Sequence, residues 1–331
     1  MSNTASAEIH RLRNAPDSPH NPGIAFDPEP VSGIRVNLSA VERRAATLPK
    51  RRTVKKEWQA AWLVKALQCI DLTTLSGDDT EGRVRRLAAK ARQPLRADMV
   101  EALDLPRPVT VAAVCVYHRF IETAKDALAG SGIPVAAVSA AFPAGLAPFS
   151  TRLAEIKASV DAGADEIDVV ITREHVLTGN WQALYDEVRA FRQACGPAHM
   201  KTILGTGDLQ TLRNVGRASW VAMMAGTDFI KTSTGKEGVN ATLPVALIMV
   251  RAIRAYREMT GHIVGFKPAG GIATAKDAMT FQFVMKEELG NDWLQPGLFR
   301  IGASSLLSDI ERQLEYFLTG RYASFDHHAM A

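Results

Sequence analysis

Phe229-Ile230-Lys231-Thr232-Ser233-Thr234-Gly235-Lys236 is the stretch from which the fold of this chain can be worked out. An apolar run ends at Lys231 and a Thr/Ser/Gly loop follows, a pattern that predicts a buried strand whose carboxyl end opens into a loop. Burial lowers the pKa of a lysine, and a lysine that is neutral near pH 7 is a nucleophile able to form a Schiff base with a carbonyl. For a lysine considered alone, the alternative is a side chain that snorkels from the strand end to solvent.

The junction before Lys231 has an internal copy. Residues 162–168 read AGADEID and residues 225–231 read AGTDFIK, so Asp168 and Lys231 hold equivalent positions on two predicted strands. A second lysine, Lys267, ends another apolar run and is followed by a Gly-rich loop. Two ammonium groups that face one cavity repel each other, so one of them gives up its proton more easily.

Strand-like runs alternate with amphipathic, helix-like segments over most of the chain. Eight such runs are predicted, at residues 69–75, 109–117, 134–142, 166–171, 199–204, 229–234, 263–267 and 298–301. Eight strands that alternate with helices favour an α/β fold in which a parallel sheet closes into a (β/α)8 TIM barrel. A doubly wound open sheet is the competing architecture. It is disfavoured because no G-x-G-x-x-G motif follows the first strand.

In a barrel, the carboxyl ends of all the strands meet at one mouth. The polar and reactive residues predicted there are Asp71, Cys115, Asp168, Lys201, Lys231, Lys267 and Ser304. Asp168 and Lys231 lie on strands four and six, so they can share one layer of the interior. Gly270-Gly271 and residues 302–305 follow strands seven and eight, where such barrels frequently hold a phosphate on backbone N–H groups.

The sequence divides into an N-terminal extension and one barrel domain. Residues 1–55 are rich in Pro, Asn, Ser and Ala, so they are predicted to form a flexible, irregular extension with a short helix near 39–48. Residues 56–331 hold the TIM barrel and a C-terminal tail. The 331 residues are 47% hydrophobic and 22% charged, which is typical of ordinary globular proteins.

Composition argues against several other classes of protein. No apolar run approaches the roughly 18 residues of a membrane span, and the polar N-terminus lacks a signal peptide's apolar region, so a cytoplasmic protein without a membrane partner is predicted. The basic run 50–56 has no interleaved aromatic residues, and nucleic acid is not expected as a partner. Cys69, Cys115 and Cys195 lie far apart in the sequence and suggest neither a zinc site nor a disulfide framework.

Five motifs in order resemble the deoxyribose-phosphate aldolase family over about residues 55–322. They are IDLTTL at 70–75, EIDVV at 166–170, FIKTSTGK at 229–236, GFKPAGG at 265–271 and RIGASSLL at 300–307. The resemblance implies a class I aldolase without a cofactor, an aldehyde-lyase of deoxyribonucleoside and deoxyribose phosphate catabolism. Such an enzyme reversibly cleaves 2-deoxy-D-ribose 5-phosphate to D-glyceraldehyde 3-phosphate and acetaldehyde. A homo-oligomer, most simply a dimer, is expected from the same resemblance.

The resemblance also implies roles for individual residues. Lys231 corresponds to the Schiff-base lysine, Lys267 to the neighbour that lowers its pKa, and Asp168 to the acid/base that transfers protons. Substrate-binding roles carry over to Asp71, Thr73, Cys115, Lys201, Thr234, Gly235, Lys236, Gly270, Gly271, Gly302, Ser304 and Ser305. Asp71 and Lys201 would lie near the substrate hydroxyls, and the glycines, Lys236 and the two serines would hold the phosphate.

Two departures from the family pattern limit this carry-over. Some bacterial members have a glutamate shortly after the strand-five lysine, where this chain has Gly205, so no role is assigned there. Those members also end in a tyrosine that assists proton transfer. Tyr322 could take that part here, or the tail could be a flexible segment without a role. His327 and His328 are predicted to be solvated tail residues, and no metal site is expected.

Two alternative functions remain open from the sequence. Another Schiff-base barrel enzyme, such as a transaldolase that acts on a longer sugar phosphate, would use the same lysine chemistry. A barrel that only binds phosphate is the alternative outside enzymes. The combination of Asp168, Lys231 and Lys267 argues against the second, because a binding protein does not need a lysine that is costly to bury.

Overall fold

Eight parallel strands form the centre of the molecule in the computed structural model, which describes residues 20–51, 54–106, 108–324 and 327–328. The strands are β1 (Ile70–Thr73), β2 (Ala113–Tyr117), β3 (Val135–Ser139), β4 (Glu166–Val170), β5 (His199–Ile203), β6 (Phe229–Lys231), β7 (Gly265–Lys267) and β8 (Ile301–Ala303). They pair side by side in the order β7-β6-β5-β4-β3-β2-β1-β8. Each predicted strand overlaps one observed strand.

The sheet closes on itself between β7 and β8. Parallel bridges join Phe266 to Phe299 and Ala269 to Gly302. The Phe266 N–H donates to Leu298 O over 2.9 Å, and the Gly302 N–H donates to Pro268 O over 2.9 Å. The prediction of a (β/α)8 barrel is therefore confirmed, and the open doubly wound sheet is excluded.

The helices of the barrel wall alternate with the strands. They are α3 (Lys56–Gln68), α4 (Glu81–Arg92), α5 (Ala97–Ala102), α6 (Ile121–Leu128), α7 (Phe149–Asp161), α8 (Arg173–Leu177), α9 (Trp181–Cys195), α10 (Leu212–Met224), α11 (Leu243–Thr260), α12 (Ala275–Leu289) and α13 (Leu306–Thr319). Their apolar faces cover the sheet, as the predicted stripes require; in α9, Leu184, Val188 and Phe191 are fully buried. None of the helices in the described part of the chain combines the length and apolar character that a membrane crossing requires.

Threonine residues mark where several of these helices begin. The hydroxyls of Thr80, Thr211, Thr242 and Thr274 each accept a hydrogen bond from the backbone N–H three residues further on, at the starts of α4, α10, α11 and α12. Each cap satisfies an N–H group that the helix leaves without a partner, which typically contributes about 1 kcal/mol. The strand-to-helix connections at the mouth of the barrel are fixed in this way.

The N-terminal extension is folded onto the barrel over residues 20–51. It contains α1 (Pro28–Gly33) and α2 (Leu38–Thr47), the second of which confirms the short helix predicted near 39–48. Val31, Val41 and Leu48 are buried in the main hydrophobic core. The expectation of an irregular extension is wrong for these residues, because Pro28, taken as a sign of irregular chain, lies in the first turn of α1 behind the Asp27 cap. Residues 1–19 and 52–53 lie outside the described residues.

Candidate active site

Asp168 lies at the centre of a buried cluster of charges inside the barrel. Its Oδ2 accepts hydrogen bonds from Lys231 Nζ at 2.7 Å and Lys267 Nζ at 2.8 Å, and its Oδ1 accepts one from Lys201 Nζ at 3.1 Å. The strand register explains this convergence, because Asp168 pairs with Lys201 and Lys231 pairs with Lys267 across neighbouring strands. The structure therefore brings together four of the residues that the sequence predicts at the mouth.

A second layer of charges lies beneath Asp168. Lys267 Nζ is 2.5 Å from Asp71 Oδ2, and Arg300 joins Asp71 at 2.6 Å to Glu166 at 2.7 Å. Lys201 also donates to Glu166. The sequence interpretation missed Glu166 and Arg300. Period-two alternation could have indicated Glu166, since it precedes Asp168 by two residues on β4 and must face the same interior.

The cluster holds Asp168 in its ionised form. Burial alone would raise the pKa of this carboxyl, but the charges of Lys201, Lys231 and Lys267 hold it well below its usual value. The pKa values of Asp71 and Glu166 are lowered for the same reason, with Lys267 and Arg300 as the main opposing charges. At neutral pH, Asp168 is therefore ionised, and it accepts hydrogen bonds from the three lysines.

The two lysines that share Asp168 are not equivalent. Burial lowers the pKa of Lys267, yet Asp168 and Asp71 together more than reverse this, so its pKa is raised and it stays charged. Burial also lowers the pKa of Lys231, and here Asp168 alone does not compensate for burial and for the positive charge of Lys267. Lys231 is therefore the member of the pair that is able to lose its proton.

Three further predicted site residues are not free nucleophiles: Lys201, Cys115 and Thr73. The pKa of Lys201 is raised: burial lowers it, but Asp168 and Glu166 outweigh burial. Cys115 is fully buried, and burial raises the pKa of its thiol, so it is a weak nucleophile. Thr73 lies opposite Cys115 in the register of β1 and β2, and its hydroxyl donates to Asp71 O at 2.7 Å.

Glycine and serine residues line the mouth beside the lysines. Gly270 and Gly271 have φ angles of +83° and +78°, which favour glycine. A Cβ at Gly302 would lie 3.3 Å from Lys267 Cε, so glycine there leaves room for the lysine side chain. Ser304 and Ser305 lead into α13, whose first turn has no side-chain cap, and its N–H groups are available to an anion.

The N–H groups of the loop after Lys231 are used differently from what the sequence predicts. The carboxylate of Glu237 accepts hydrogen bonds from the N–H groups of Thr234, at 3.0 Å, and Gly235, at 3.2 Å, and from the Thr234 hydroxyl at 2.6 Å. The N–H of Lys236 donates to Thr234 Oγ1. The N–H groups of Thr234 and Gly235 are therefore not free for a phosphate, whereas the exposed side chain of Lys236 is able to meet one. The sequence interpretation missed Glu237.

The structure does not bring Tyr322 together with the lysines. Its ring stacks on Tyr316 in the last turn of α13, with centroids 4.4 Å apart and an angle of 16° between the rings. The helix starts at the mouth beside Ser305 and runs away from it for 14 residues, which is roughly 21 Å. Tyr322 therefore lies toward the opposite end of the barrel wall.

One tail residue differs from its prediction. His328 is only 5% exposed, so it is not a solvated residue. Its Nε2 lies 2.9 Å from Glu315 Oε2, and its Nδ1 lies 3.7 Å from Glu311 Oε1. The reason is that α13 presents two carboxylates that an imidazole can approach, a contact that depends on where the tail returns.

One group of side chains in the described residues has a spacing that a metal ion could use. It consists of His20, His199 and Asp228. Asp228 Oδ2 is already 2.7 Å from Arg192 Nη1 and accepts the Met200 N–H at 2.8 Å. Because Arg192 supplies the opposing charge, this group fits an anchor for the N-terminal extension better than a metal centre.

Fold and site together define a class of protein: a (β/α)8 barrel enzyme whose charged groups gather at the carboxyl ends of the strands. The model of the DeoC/LacD aldolase family matches residues 65–310. Deoxyribose-phosphate aldolase of Homo sapiens is 60% identical over 311 residues, which cover 93% of this chain and 98% of that protein. The deoxyribose-phosphate aldolase of Mus musculus is 60% identical over 309 residues, 92% of this chain and 97% of that protein. The chain belongs to the DeoC/LacD family of aldolases, and the resemblance seen in the five motifs is confirmed.

Solved structures agree with the fold. An apo-form structure from Toxoplasma gondii ME49, described as a candidate deoxyribose-phosphate aldolase, has a TM-score of 0.67 at 22% identity and covers 78% of this chain and 97% of that chain. The tetrameric deoxyribose phosphate aldolase from Aeropyrum pernix has a TM-score of 0.58 at 23% identity and covers 82% of this chain and 100% of that chain. At these identities, the likeness supports the fold alone.

Proposed function

We propose that this protein is a class I aldolase that reversibly cleaves 2-deoxy-D-ribose 5-phosphate to D-glyceraldehyde 3-phosphate and acetaldehyde. The observation that carries the proposal is the unequal pair of lysines on Asp168: the pKa of Lys231 is lowered while Lys267 stays charged. A Schiff-base enzyme needs one neutral amine beside groups that can transfer protons. The identity of this chain to deoxyribose-phosphate aldolases supports the choice of substrate.

In the first step, the neutral amine of Lys231 attacks the aldehyde carbon C1 of the open-chain sugar. The carbinolamine that forms loses water, which requires a proton on the departing oxygen, and Lys267 is the charged neighbour able to give one. The product is an iminium ion. Its positive nitrogen accepts the electron pair of the C2–C3 bond when that bond breaks.

Cleavage requires a base at the C3 hydroxyl. Asp168 is ionised, and we assign it the removal of this proton, through a bound water. D-Glyceraldehyde 3-phosphate then leaves, and the enamine that remains on Lys231 takes a proton at C2 before hydrolysis releases acetaldehyde. Proton transfer by positioned groups typically contributes about 10²–10⁴-fold to the rate. Lys267 and Lys201, both hydrogen-bonded to Asp168, are the proton reservoir in this scheme.

The phosphate of the substrate is assigned to the mouth beside β7 and β8. Lys236, the loop at Gly270-Gly271 and the uncapped start of α13 after Ser305 support this assignment. The side chains need no cofactor for this chemistry, and no metal is assigned. Asp71 would bind a substrate hydroxyl only indirectly, because Lys267 and Arg300 already occupy its carboxylate.

Borohydride reduction in the presence of 2-deoxyribose 5-phosphate, followed by peptide mass mapping, tests the mechanism. A stable adduct on the peptide that contains Lys231 is expected. An adduct on Lys267 would exchange the roles of the two lysines, and no adduct despite phosphate binding would favour the barrel that only binds phosphate. Detection of acetaldehyde as the small product separates the proposal from a transaldolase, which passes a longer fragment to an acceptor.

The metabolic role, the location and the oligomeric state of the enzyme are part of the proposal. A role in deoxyribonucleoside catabolism is proposed from the class of substrate, and a cytoplasmic location is proposed with it. We also propose a homo-oligomer, with a dimer as the simplest case, as the family resemblance implies. Light scattering after size-exclusion chromatography measures the oligomeric state directly: a mass of about 36 kDa, that of the 35.9 kDa chain, would contradict this part of the proposal.

A further inference from the structure

Arg173, the first residue of α8, connects three loops at the mouth of the barrel. Its Nη1 donates to Ala144 O, in the loop after β3, at 2.9 Å. Its Nε lies 3.0 Å from Asp208 Oδ2 after β5, and its Nη2 donates to Glu237 Oε1 after β6 at 3.1 Å. The side chain is only 15% exposed. These contacts join segments that lie far apart in sequence, so they fix the loops relative to one another.

The loop after β5 is packed tightly against this arginine. A Cβ at Gly205 would lie 2.4 Å from Arg173 Nε, and the φ angle of Gly205 is +64°. A Cβ at Gly207 would lie 2.0 Å from Val239 O, in the loop after β6. Gly205, where this chain departs from the family pattern, therefore provides the space that the guanidinium of Arg173 fills.

Glu237 connects Arg173 to the loop that carries Lys236. Its carboxylate is 4% exposed and accepts the N–H groups of Thr234 and Gly235 as well as the Thr234 hydroxyl. Burial alone would raise the pKa of Glu237, but the Thr234 hydroxyl and N–H and the charge of Arg173 hold it below its usual value. The carboxylate stays ionised at neutral pH, and its anion orders the loop from Thr234 to Lys236.

We propose that Arg173 and Glu237 are positioning residues that hold the Lys236 loop at the height where its ammonium meets the phosphate of the substrate. This inference rests on the proposed function. The pair does not touch the reacting carbons, so it sets the preference of the enzyme for phosphorylated over unphosphorylated sugar. A loop fixed by one partly buried ion pair and three hydrogen bonds keeps the backbone at Lys236 in one place, which reduces the conformational entropy lost on binding.

The test compares 2-deoxyribose 5-phosphate with 2-deoxyribose as substrates of the full chain. Glu237→Gln keeps the size of the side chain and removes its charge. We expect KM for the phosphorylated sugar to rise about 10-fold, the typical effect of losing a charge-assisted hydrogen bond, while kcat/KM for 2-deoxyribose stays within about two-fold. Arg173→Lys is expected to behave in the same way, since lysine lacks the planar fork that reaches three loops at once.

A double-variant cycle shows whether the effect passes through Lys236. Lys236→Met by itself should lower the preference for the phosphorylated sugar. Glu237→Gln added to Lys236→Met should then change that preference by less than about two-fold, because the group it positions is gone. Full additivity of the two changes would overturn the proposal. Glu81→Gln is the matched control, since it breaks the exposed Arg119–Glu81 pair of the same 3.1 Å length away from this loop.

Two further outcomes separate this inference from the proposed function. If the unchanged protein shows no turnover and no borohydride adduct, the proposed function fails. If the unchanged protein is active and Glu237→Gln lowers kcat/KM equally for both sugars, only the positioning role fails. Thermal unfolding of each variant is measured in parallel. If Glu237→Gln does not fold, Arg173→Lys provides a second test of the positioning role.

Discussion

Asp168 Oδ2 lies within 2.8 Å of both Lys231 Nζ and Lys267 Nζ, so the choice of nucleophile depends on what else each lysine contacts. Lys267 has a second carboxylate, Asp71, at 2.5 Å, and Lys231 has none among the described residues. The difference of one carboxylate keeps Lys267 charged and lets Lys231 become neutral. Asp71 therefore determines which of the two lysines is the nucleophile, although Asp71 need not touch the substrate.

Removal of the Lys267 charge tests this argument. In Lys267→Met, Lys231 loses a like charge and no longer shares Asp168, so the pKa of Lys231 should rise. Because the reaction needs neutral Lys231, the acidic limb of the pH profile of kcat/KM should move to higher pH by about one unit or more. Activity lost at pH 7 should return in part at pH 9.

Steady-state kinetics from pH 5 to 10 give the result, with the exposed Lys276→Met as control. If the acidic limb of the pH profile does not move and activity falls equally at every pH, the role of Lys267 is only to donate protons. In that case, the pKa of Lys231 would be set by burial.

The sequence indicates Lys231 and Lys267 because each closes an apolar run, and it indicates Asp168 because residues 162–168 repeat the pattern of residues 225–231. Strand register then forces the three side chains together. The sequence does not indicate Arg300. The predicted strand 298–301 begins before the observed β8, so the prediction does not determine which of its side chains face the barrel interior. Glu237 and Arg173 are 64 residues apart and meet only through loop conformations. Contacts of that kind depend on tertiary structure, which local pattern does not contain.

At the scale of elements, a buried ion pair joins two helices of the wall to the end of β4. Arg152 on α7 donates to Glu187 on α9 at 2.6 Å, and Glu187 also accepts the hydroxyl of Thr172 at 2.6 Å and its N–H at 2.8 Å. Both charged side chains are at most 6% exposed. A buried pair of this kind is costly to break on one side, because the remaining charge is left without a partner.

Glu187→Ala should therefore lower the free energy of unfolding by about 3–5 kcal/mol. Urea unfolding followed by circular dichroism measures the loss. The double variant Arg152→Leu/Glu187→Leu should lose less than the single one, since no buried charge is left unpaired. Glu81→Gln, at the exposed pair with Arg119, should cost less than about 1 kcal/mol. Equal losses in the single and double variants would mean that packing, and not charge, holds this junction.

Predictions of elements from sequence succeed where periodicity is strong and fail where it is short. The long wall helices, such as α9 and α11, have apolar stripes over three turns or more, and the threonine caps of α4, α10, α11 and α12 are visible in the sequence. By contrast, α1 has six residues and contributes one buried side chain, Val31. Its burial comes from the barrel helices that it meets, so local composition indicated an irregular segment instead.

On the scale of the whole molecule, the two ends of the barrel have different tasks. The charged cluster and the loops to which we assign phosphate binding lie at the carboxyl ends of the strands. Tyr322 lies near the far end of α13, stacked on Tyr316. Tyr322→Phe is therefore expected to leave kcat within about two-fold, where loss of a catalytic proton-transfer group would cost about 10²-fold or more. Rates of proton exchange at the methyl group of acetaldehyde, followed by NMR in D₂O, check this, and a large fall would show that the tail reaches the mouth during turnover.

The N-terminal extension is anchored beside the amino ends of β5 and β6. Asn21 is 3% exposed and fastens it: its Nδ2 donates to Met223 O at 2.8 Å and Thr227 O at 3.0 Å, and its N–H donates to Asp228 Oδ1 at 2.9 Å. Asn21→Ala leaves two buried carbonyl oxygens without these donors. The free energy of unfolding should fall by about 2–6 kcal/mol, at about 1–3 kcal/mol for each of the two groups.

Because this end of the barrel is remote from Lys231, kcat and KM of Asn21→Ala should stay unchanged below the melting temperature. Calorimetry and steady-state kinetics on the same preparation separate the two effects. Asn37→Ala, at the exposed cap of α2, is the control and should cost about 1 kcal/mol. If activity instead falls in parallel with stability, the amino ends of the strands and the site respond as one unit. The extension would then also hold the strand register on which Asp168 and its lysines depend.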